Sequence, residues 1–166
     1  MTLEEGKAQF IQSWGTLGSS WGITRTMAQI HALLLVSSVC LSAEEIMEEL
    51  KISRGNANMN LRSLIDWGLV HKKLISGERK EYFVAEKDMR EVVKCIIIQR
   101  KKRELEPMIK VLDDISSVAG ESEEVEEFKK VVQDIRLFSN KADTMLDKLT
   151  RSDSNWFVST FLNMIK

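Results

Sequence analysis

Apolar residues recur at helical spacing along most of this chain and give way to β-prone runs only once, near its middle. Phe10, Trp14, Leu17 and Trp21 stand four, three and four apart, the spacing of one helix face. Thr2 and Glu5 ahead of them can form a capping box, each side chain accepting from the other's backbone N–H. Gly15 and Gly18 weaken the last turns, and Gly22 is placed to end this helix. Thr24 can cap a second helix, with Met27, Ile30, Leu34 and Leu35 turned inward. Val39-Cys40-Leu41 has room only for a small strand. Ser42 and Glu45 repeat the capping box, with Leu41 and Ile46 as a hydrophobic staple, and open a short helix ending near Leu50. Ser53 can cap another almost at once. Two short helices joined by so few residues predict a helix-turn-helix.

The second of these helices sorts its residues by face. Ala57, Leu61, Leu64 and Ile65 share one side; Arg54, Gly55, Asn58, Met59 and Arg62 share the other, with Asn56 and Ser63 at the edge. Gly68 fits the position just past its C-terminus. Two β-prone runs, 69–75 and 79–84, flank Ser76-Gly77-Glu78 and predict a hairpin. Helical pattern then resumes. Asp88 can cap a helix carrying Met89, Val92, Val93, Ile96 and Ile97. Pro107, the only proline, falls deep in helical pattern and predicts a kink or restart. Ile109, Leu112 and Ile115 continue toward Gly120. Ser122, followed by Glu123, Glu124, Glu126 and Glu127, suits the positive end of a last long helix. Its seam reads Phe128, Val132, Ile135, Ser139, Ala142, Leu146 and Leu149, a heptad-like spacing.

The predicted fold is mainly α with a small β-hairpin: a helix-turn-helix and its hairpin flanked by N- and C-terminal helices. Three regions follow: residues 1–20, an N-terminal helix; 21–86, the helix-turn-helix with its hairpin; and 87–166, a helical C-terminal region; the resemblance given below makes the middle one a winged helix-turn-helix and the outer two dimerisation regions. The 166 residues are 43% hydrophobic and 30% charged, a soluble globular balance. Two cysteines exclude a disulfide scaffold. The first residues lack a basic stretch followed by an apolar core, so a reducing cytoplasmic setting is expected. No apolar run approaches the length of a membrane helix.

Charge changes the picture. Overall the net charge is −1, which does not suggest a polyanion partner. Between Lys51 and Lys80, however, seven basic residues face two acidic ones, a local excess of +5. That excess falls on the second helix and the hairpin, where it can neutralise phosphates. On the exposed helix face, Asn suits bidentate bonding to adenine, Arg to guanine, and Met contact with a thymine methyl. Double-stranded DNA is therefore the expected partner. Arg54, Asn56, Asn58, Met59 and Arg62 are expected at base edges, Ser53 and Asn60 at backbone or phosphate, Arg79 in the minor groove, and Arg25, Lys72, Lys73 and Lys80 at phosphates. A winged helix used only as a protein-interaction module is the alternative.

The runs Leu41 to Ile46, Ile52 to Arg62 and Trp67 to Val70, with Ser76 to Phe83 as the wing, resemble the winged helix of MarR-type transcriptional regulators. The Ser53-Arg54-Gly55-Asn56 start and the Trp67-Gly68-Leu69-Val70 end resemble the GbsR subgroup most. The resemblance is specific from about Trp21 to Val84. It implies a homodimer on a palindromic operator, a recognition helix starting at Ser53, and terminal helices that form the dimer. A repressor that excludes other proteins from its promoter is the expected mode. Glu78 departs from the aspartate common before the wing arginine.

The residues expected in the dimer contact are Phe10 and Trp14, then Phe128, Val132, Ile135, Ala142, Leu146 and Leu149, then Trp156, Phe157 and Phe161. Trp14, Trp21, Trp67 and Trp156, with Phe128, Phe138, Phe157 and Phe161, could instead form an aromatic cage for a choline-like effector, although aromatics at helical spacing are more often core. His31, Cys40, His71 and Cys95 resemble no zinc motif in spacing, so no metal or cofactor is expected. No phosphate loop, nucleophile elbow or metal-binding helix pair points to an enzyme.

Overall fold

The computed structural model describes residues 1–151. Its order is α1 (Leu3–Ser20), α2 (Arg25–Val36), β1 (Leu41–Ser42), α3 (Ala43–Leu50), α4 (Arg54–Asp66), β2 (Val70–Leu74), β3 (Glu81–Ala85), α5 (Met89–Arg100), a π-helical turn (Lys101–Leu105), α6 (Glu106–Ile115) and α7 (Glu123–Arg151). The chain divides into two compact units, Met1–Val92 and Val93 onward. This is the mainly helical winged-helix architecture that the sequence predicts.

Local sequence sets the element ends in the first unit. Thr2 with Glu5 and Ser42 with Glu45 both form complete capping boxes. Thr24 and Ser53 cap α2 and α4 by accepting from Met27 N and Asn56 N. The Ser42 backbone N–H and hydroxyl, both bonded to Glu45, hold that carboxyl below its ordinary range. Helix α4 closes in a Schellman turn: Gly68 N–H donates to Ile65 O and Leu69 N–H to Leu64 O, both at 2.9 Å. This turn needs the left-handed φ of +76° that Gly68 supplies. The link from α3 to α4 also turns through a left-handed residue, here Lys51 at φ +54°.

The core of this unit lies between α2, α3, α4 and the sheet. Ile30, Leu34, Ile46, Leu61, Leu64 and Val70 are fully enclosed there. β1, β3 and β2 form an antiparallel sheet in that order, with Leu41 opposite Phe83 and Lys72 opposite Phe83 on the other side. Helix α1 packs along α2 through Ile11, Gly15 and Gly18, all buried. A Cβ on Gly18 would stand 2.5 Å from Ala28 Cβ, and one on Gly15 2.7 Å from Gln29 Cγ. The two glycines, which sequence marks as weak points of the helix, are what let α1 approach α2 closely. The aromatic stripe is displaced from that contact: Phe10 and Trp14 are half-buried, while Leu17 and Trp21 are exposed.

In the second unit, Pro107 sits in the first turn of α6. Proline lacks the N–H that would bond four residues back, and its ring crowds that carbonyl. The preceding turn takes the wider π form, a local remedy that sequence pattern does not reveal. Lys101 in this turn is largely buried; it bonds Asp147 and lies 3.1 Å from Asp143, both on α7. The Asp147 hydrogen bond raises the Lys101 pKa, and Lys101 in turn lowers that of Asp147. Arg136 pairs with Asp113, tying α7 to α6. Ser122 caps α7 by accepting from Val125 N.

The predicted α7 seam is corrected in phase. Val132 and Ser139 turn into their own chain and are buried, where α7 packs on α6 and the π turn. Val132 is thus part of the subunit's core rather than of an outer face. Phe128 and Ile135 remain exposed, and Ala142, Leu146 and Leu149 are half-buried. Trp156, Phe157 and Phe161 lie outside the described residues.

Candidate nucleic-acid interface

The DNA-facing candidates sit on α4 and the β2–β3 hairpin, both in the first unit. α4 keeps Ala57, Leu61 and Leu64 in the core. Its helical periodicity therefore puts Arg54, Gly55, Asn58, Met59 and Arg62 outward, and all five are exposed. Met59 is 59% exposed among these polar side chains. Arg54 has only a 3.8 Å approach to Glu44. Among the described residues Arg62 forms no ion pair. Ser53 is exposed at the cap, its hydroxyl engaged by Asn56 N.

Two asparagines behave otherwise. Asn60 is 3% exposed. Its amide donates to Asn56 O and Oδ1, at 2.8 and 2.7 Å, and its Oδ1 accepts from the Thr24 hydroxyl at 2.8 Å. Asn56 is part-buried and donates to the Thr26 hydroxyl at 3.4 Å. The expected phosphate contact from Asn60 is therefore corrected: this side chain faces the protein. Thr24, Asn60, Asn56 and Thr26 form a polar network that fixes α4 against the start of α2. The signal was present in the sequence, since Asn60 follows Asn56 by four and adjoins Leu61 on the inward face. Thr24 and Thr26, which complete the network, were missed because they lie 36 and 30 residues from the asparagines they bond.

The hairpin carries the rest. Lys72, Lys73, Arg79 and Lys80 are all exposed. Lys72 pairs across the strands with Glu81 at 2.8 Å. Lys73 and Arg79 form no ion pair among the described residues. Glu78 accepts from the Tyr82 hydroxyl, which raises the Tyr82 pKa to about 12. That bond ties the turn residue Glu78 to Tyr82 on β3. Arg25 is exposed at the start of α2, bonded to Gln12 at 2.6 Å.

Of the aromatic set expected for a cage, Trp156, Phe157 and Phe161 lie outside the described residues. Phe10 and Trp14 lie 5.3 Å apart and Trp14 is 6.3 Å from His31, but Trp21 is exposed. A cleft of about 610 Å³ between α1, α2 and α3 is lined by Ile11, Leu33, Val36 and glutamates, without an aromatic residue. Among the described residues no group of His, Cys, Asp and Glu is placed to hold a metal ion. Also among them, no helix is long and apolar enough to cross a membrane.

The chain is similar to known proteins over this region. Residues 21–80 match the MarR family model, the segment that holds α2 to the wing. The chain is 30% identical over 84 residues to the HTH-type transcriptional regulator MmpR5 of Mycobacterium tuberculosis, covering 50% of this chain and 51% of that protein. It is 29% identical over 86 residues to the HTH-type transcriptional repressor GbsR of Bacillus subtilis, covering 52% and 47%. The chain thus matches about half the length of these curated relatives. A solved structure described as a transcriptional regulator superposes with a TM-score of 0.68 over 88% of this chain and 97% of its own, at 19% identity; that likeness concerns the fold.

Proposed function

We propose that this chain, whose residues 21–80 match the MarR family model, is a DNA-binding transcriptional regulator that acts as a homodimer on a palindromic operator. The observation that carries this reading is the exposure of Arg54, Asn58, Met59 and Arg62 on one face of α4, together with that of Lys73 and Arg79 on the adjoining hairpin. α4 enters the major groove, where Arg62 and Asn58 read base edges. The hairpin follows the backbone, and Arg79 at its tip reaches the neighbouring minor groove. Asn56 and Asn60 hold α4 in place through Thr24 and Thr26.

Repression by occlusion of a promoter is the mode proposed, and the relative named a repressor supports it. In vitro selection of duplexes by the purified protein tests the reading. A recovered inverted repeat, with half-sites about one helical turn apart, supports it. Failure to enrich any sequence, together with salt-insensitive capture of a protein partner, favours the interaction-module alternative.

A further inference from the structure

We infer that α7 pairs with α7 of a second copy in antiparallel orientation, about a two-fold axis near Leu137. This rests on the homodimer reading above and specifies its geometry. Phe128, Val131, Ile135, Phe138 and Met145 are 41, 50, 46, 75 and 63% exposed. With half-buried Ala142 among them they repeat at three and four residues, the a and d positions of a heptad. Such a continuous stripe along a helix already packed on its other side needs a second cover.

Charge selects the cover and its direction. One flank of the stripe, the e positions Val132, Ser139 and Leu146, turns toward the chain itself, with Val132 and Ser139 buried. The other flank, the g positions, reads Glu127, Asp134, Lys141 and Lys148. All four are exposed, and among the described residues none has an ion-pair partner. Several other charges on α7 are already paired: Lys129 with Glu126, Arg136 with Asp113, and Asp143 and Asp147 with Lys101.

Two negative positions followed by two positive ones are complementary to the same series reversed. In an antiparallel pair, Ile135 packs beside Phe138 of the partner subunit and Phe128 beside Met145 of the partner subunit. In that register Glu127 meets Lys148 of the partner subunit, and Asp134 meets Lys141 of the partner subunit. The two-fold axis repeats both pairs. A parallel pair would set Glu127 level with Glu127 of the partner subunit and leave the charges unmatched. The flank thus specifies a second copy and its orientation.

Sedimentation equilibrium of the full chain tests this. The wild type is expected to be a dimer at micromolar concentration. Glu127→Lys with Asp134→Lys makes the whole flank positive and should raise the dimer dissociation constant about tenfold or more. Adding Lys141→Glu and Lys148→Glu restores complementarity and should recover dimerisation to within about threefold. A second readout does not depend on charge: Glu127→Cys and Lys148→Cys chains, each with Cys40 and Cys95 replaced by Ser, are mixed and treated with a short bismaleimide. Cross-links between the two chains are expected. In the antiparallel pair two copies of position 127 stand about 30 Å apart, so Glu127→Cys alone should not cross-link.

A wild-type dimer that the charge reversal leaves unchanged, or Glu127→Cys chains that cross-link to themselves, overturns the antiparallel pairing and leaves the homodimer reading standing. A monomeric wild type overturns both.

Discussion

The two units of this chain solve burial differently. In residues 1–92, Ile30, Leu34, Ile46, Leu61, Leu64 and Val70 are wholly enclosed, and the surface of α4 and the hairpin is polar apart from Met59 and Leu74. In the described part of the second unit, Leu112 and Val132 are the apolar side chains that reach full burial, while α7 leaves Phe128, Ile135 and Phe138 open. The first unit closes a core by itself and presents charge outward. The second is held to itself by ion pairs such as Lys101 to Asp147 and Arg136 to Asp113, and it leaves its apolar stripe outward. Enclosure suits a scaffold that must aim an interface; an open stripe suits assembly.

The largest effect should come from breaking the enclosed core. Leu61→Ala removes a fully buried side chain and should cost about 2–5 kcal/mol in chemical denaturation followed by circular dichroism. Next comes pH. His31 is buried beside Trp14, and burial lowers its pKa from 6.5 to about 4. The unfolded chain therefore takes up a proton that the folded chain refuses. Stability should be intact above about pH 6.5 and fall by about 3 kcal/mol as the pH drops toward 4. His31→Met should flatten that part of the profile; an unaltered acid limb would mean the loss arises elsewhere.

A smaller effect is expected at the α1–α2 contact. Gly18→Ala forces a methyl against Ala28 and should lower stability by about 1–3 kcal/mol in the same assay. The smallest is expected on the open stripe. Phe138→Ser alters a side chain that is 75% exposed, so the unfolding free energy at concentrations where the chain is monomeric should shift by no more than about 0.5 kcal/mol. Self-association in sedimentation should weaken in the same variant. A large loss of monomer stability would remove the contrast between the units.

Much of the fold is legible where a local rule sets the outcome. The capping residues Thr2, Thr24, Ser42 and Ser53 and the closing Gly68 mark helix ends within a few residues, because their hydrogen bonds are local. The outward set on α4 is legible because Ala57, Leu61 and Leu64 fix the inward one.

What sequence does not disclose depends on partners distant in the chain. Gly15 and Gly18 look like helix weaknesses until α2 is seen against them. The spacing of Asn60 hints at its inward position, but its distant partner Thr24 is not legible in the sequence. On α7, Val132 and Val131 both continue a heptad from Phe128; only the position of α6 decides that Val132 is inward and Val131 outward. Aromatic residues at helical spacing suggest a cage, whereas the exposure of Trp21 shows that spacing alone does not gather them.

The central claim is that α4 and the hairpin form a DNA surface with a focused positive charge. The most direct measurement is the affinity for a selected duplex as salt is varied, for the wild type and for Lys73→Ala with Arg79→Ala. Each phosphate contact contributes about −0.9 to the slope of log affinity against log salt. The wild type should show a steep negative slope. The double variant should bind more weakly with a slope about one to two units shallower, because the proposal puts Lys73 at phosphate and Arg79 in the same field. A slope near zero for the wild type, or one that these two substitutions leave unchanged, would contradict the assignment of this surface to DNA.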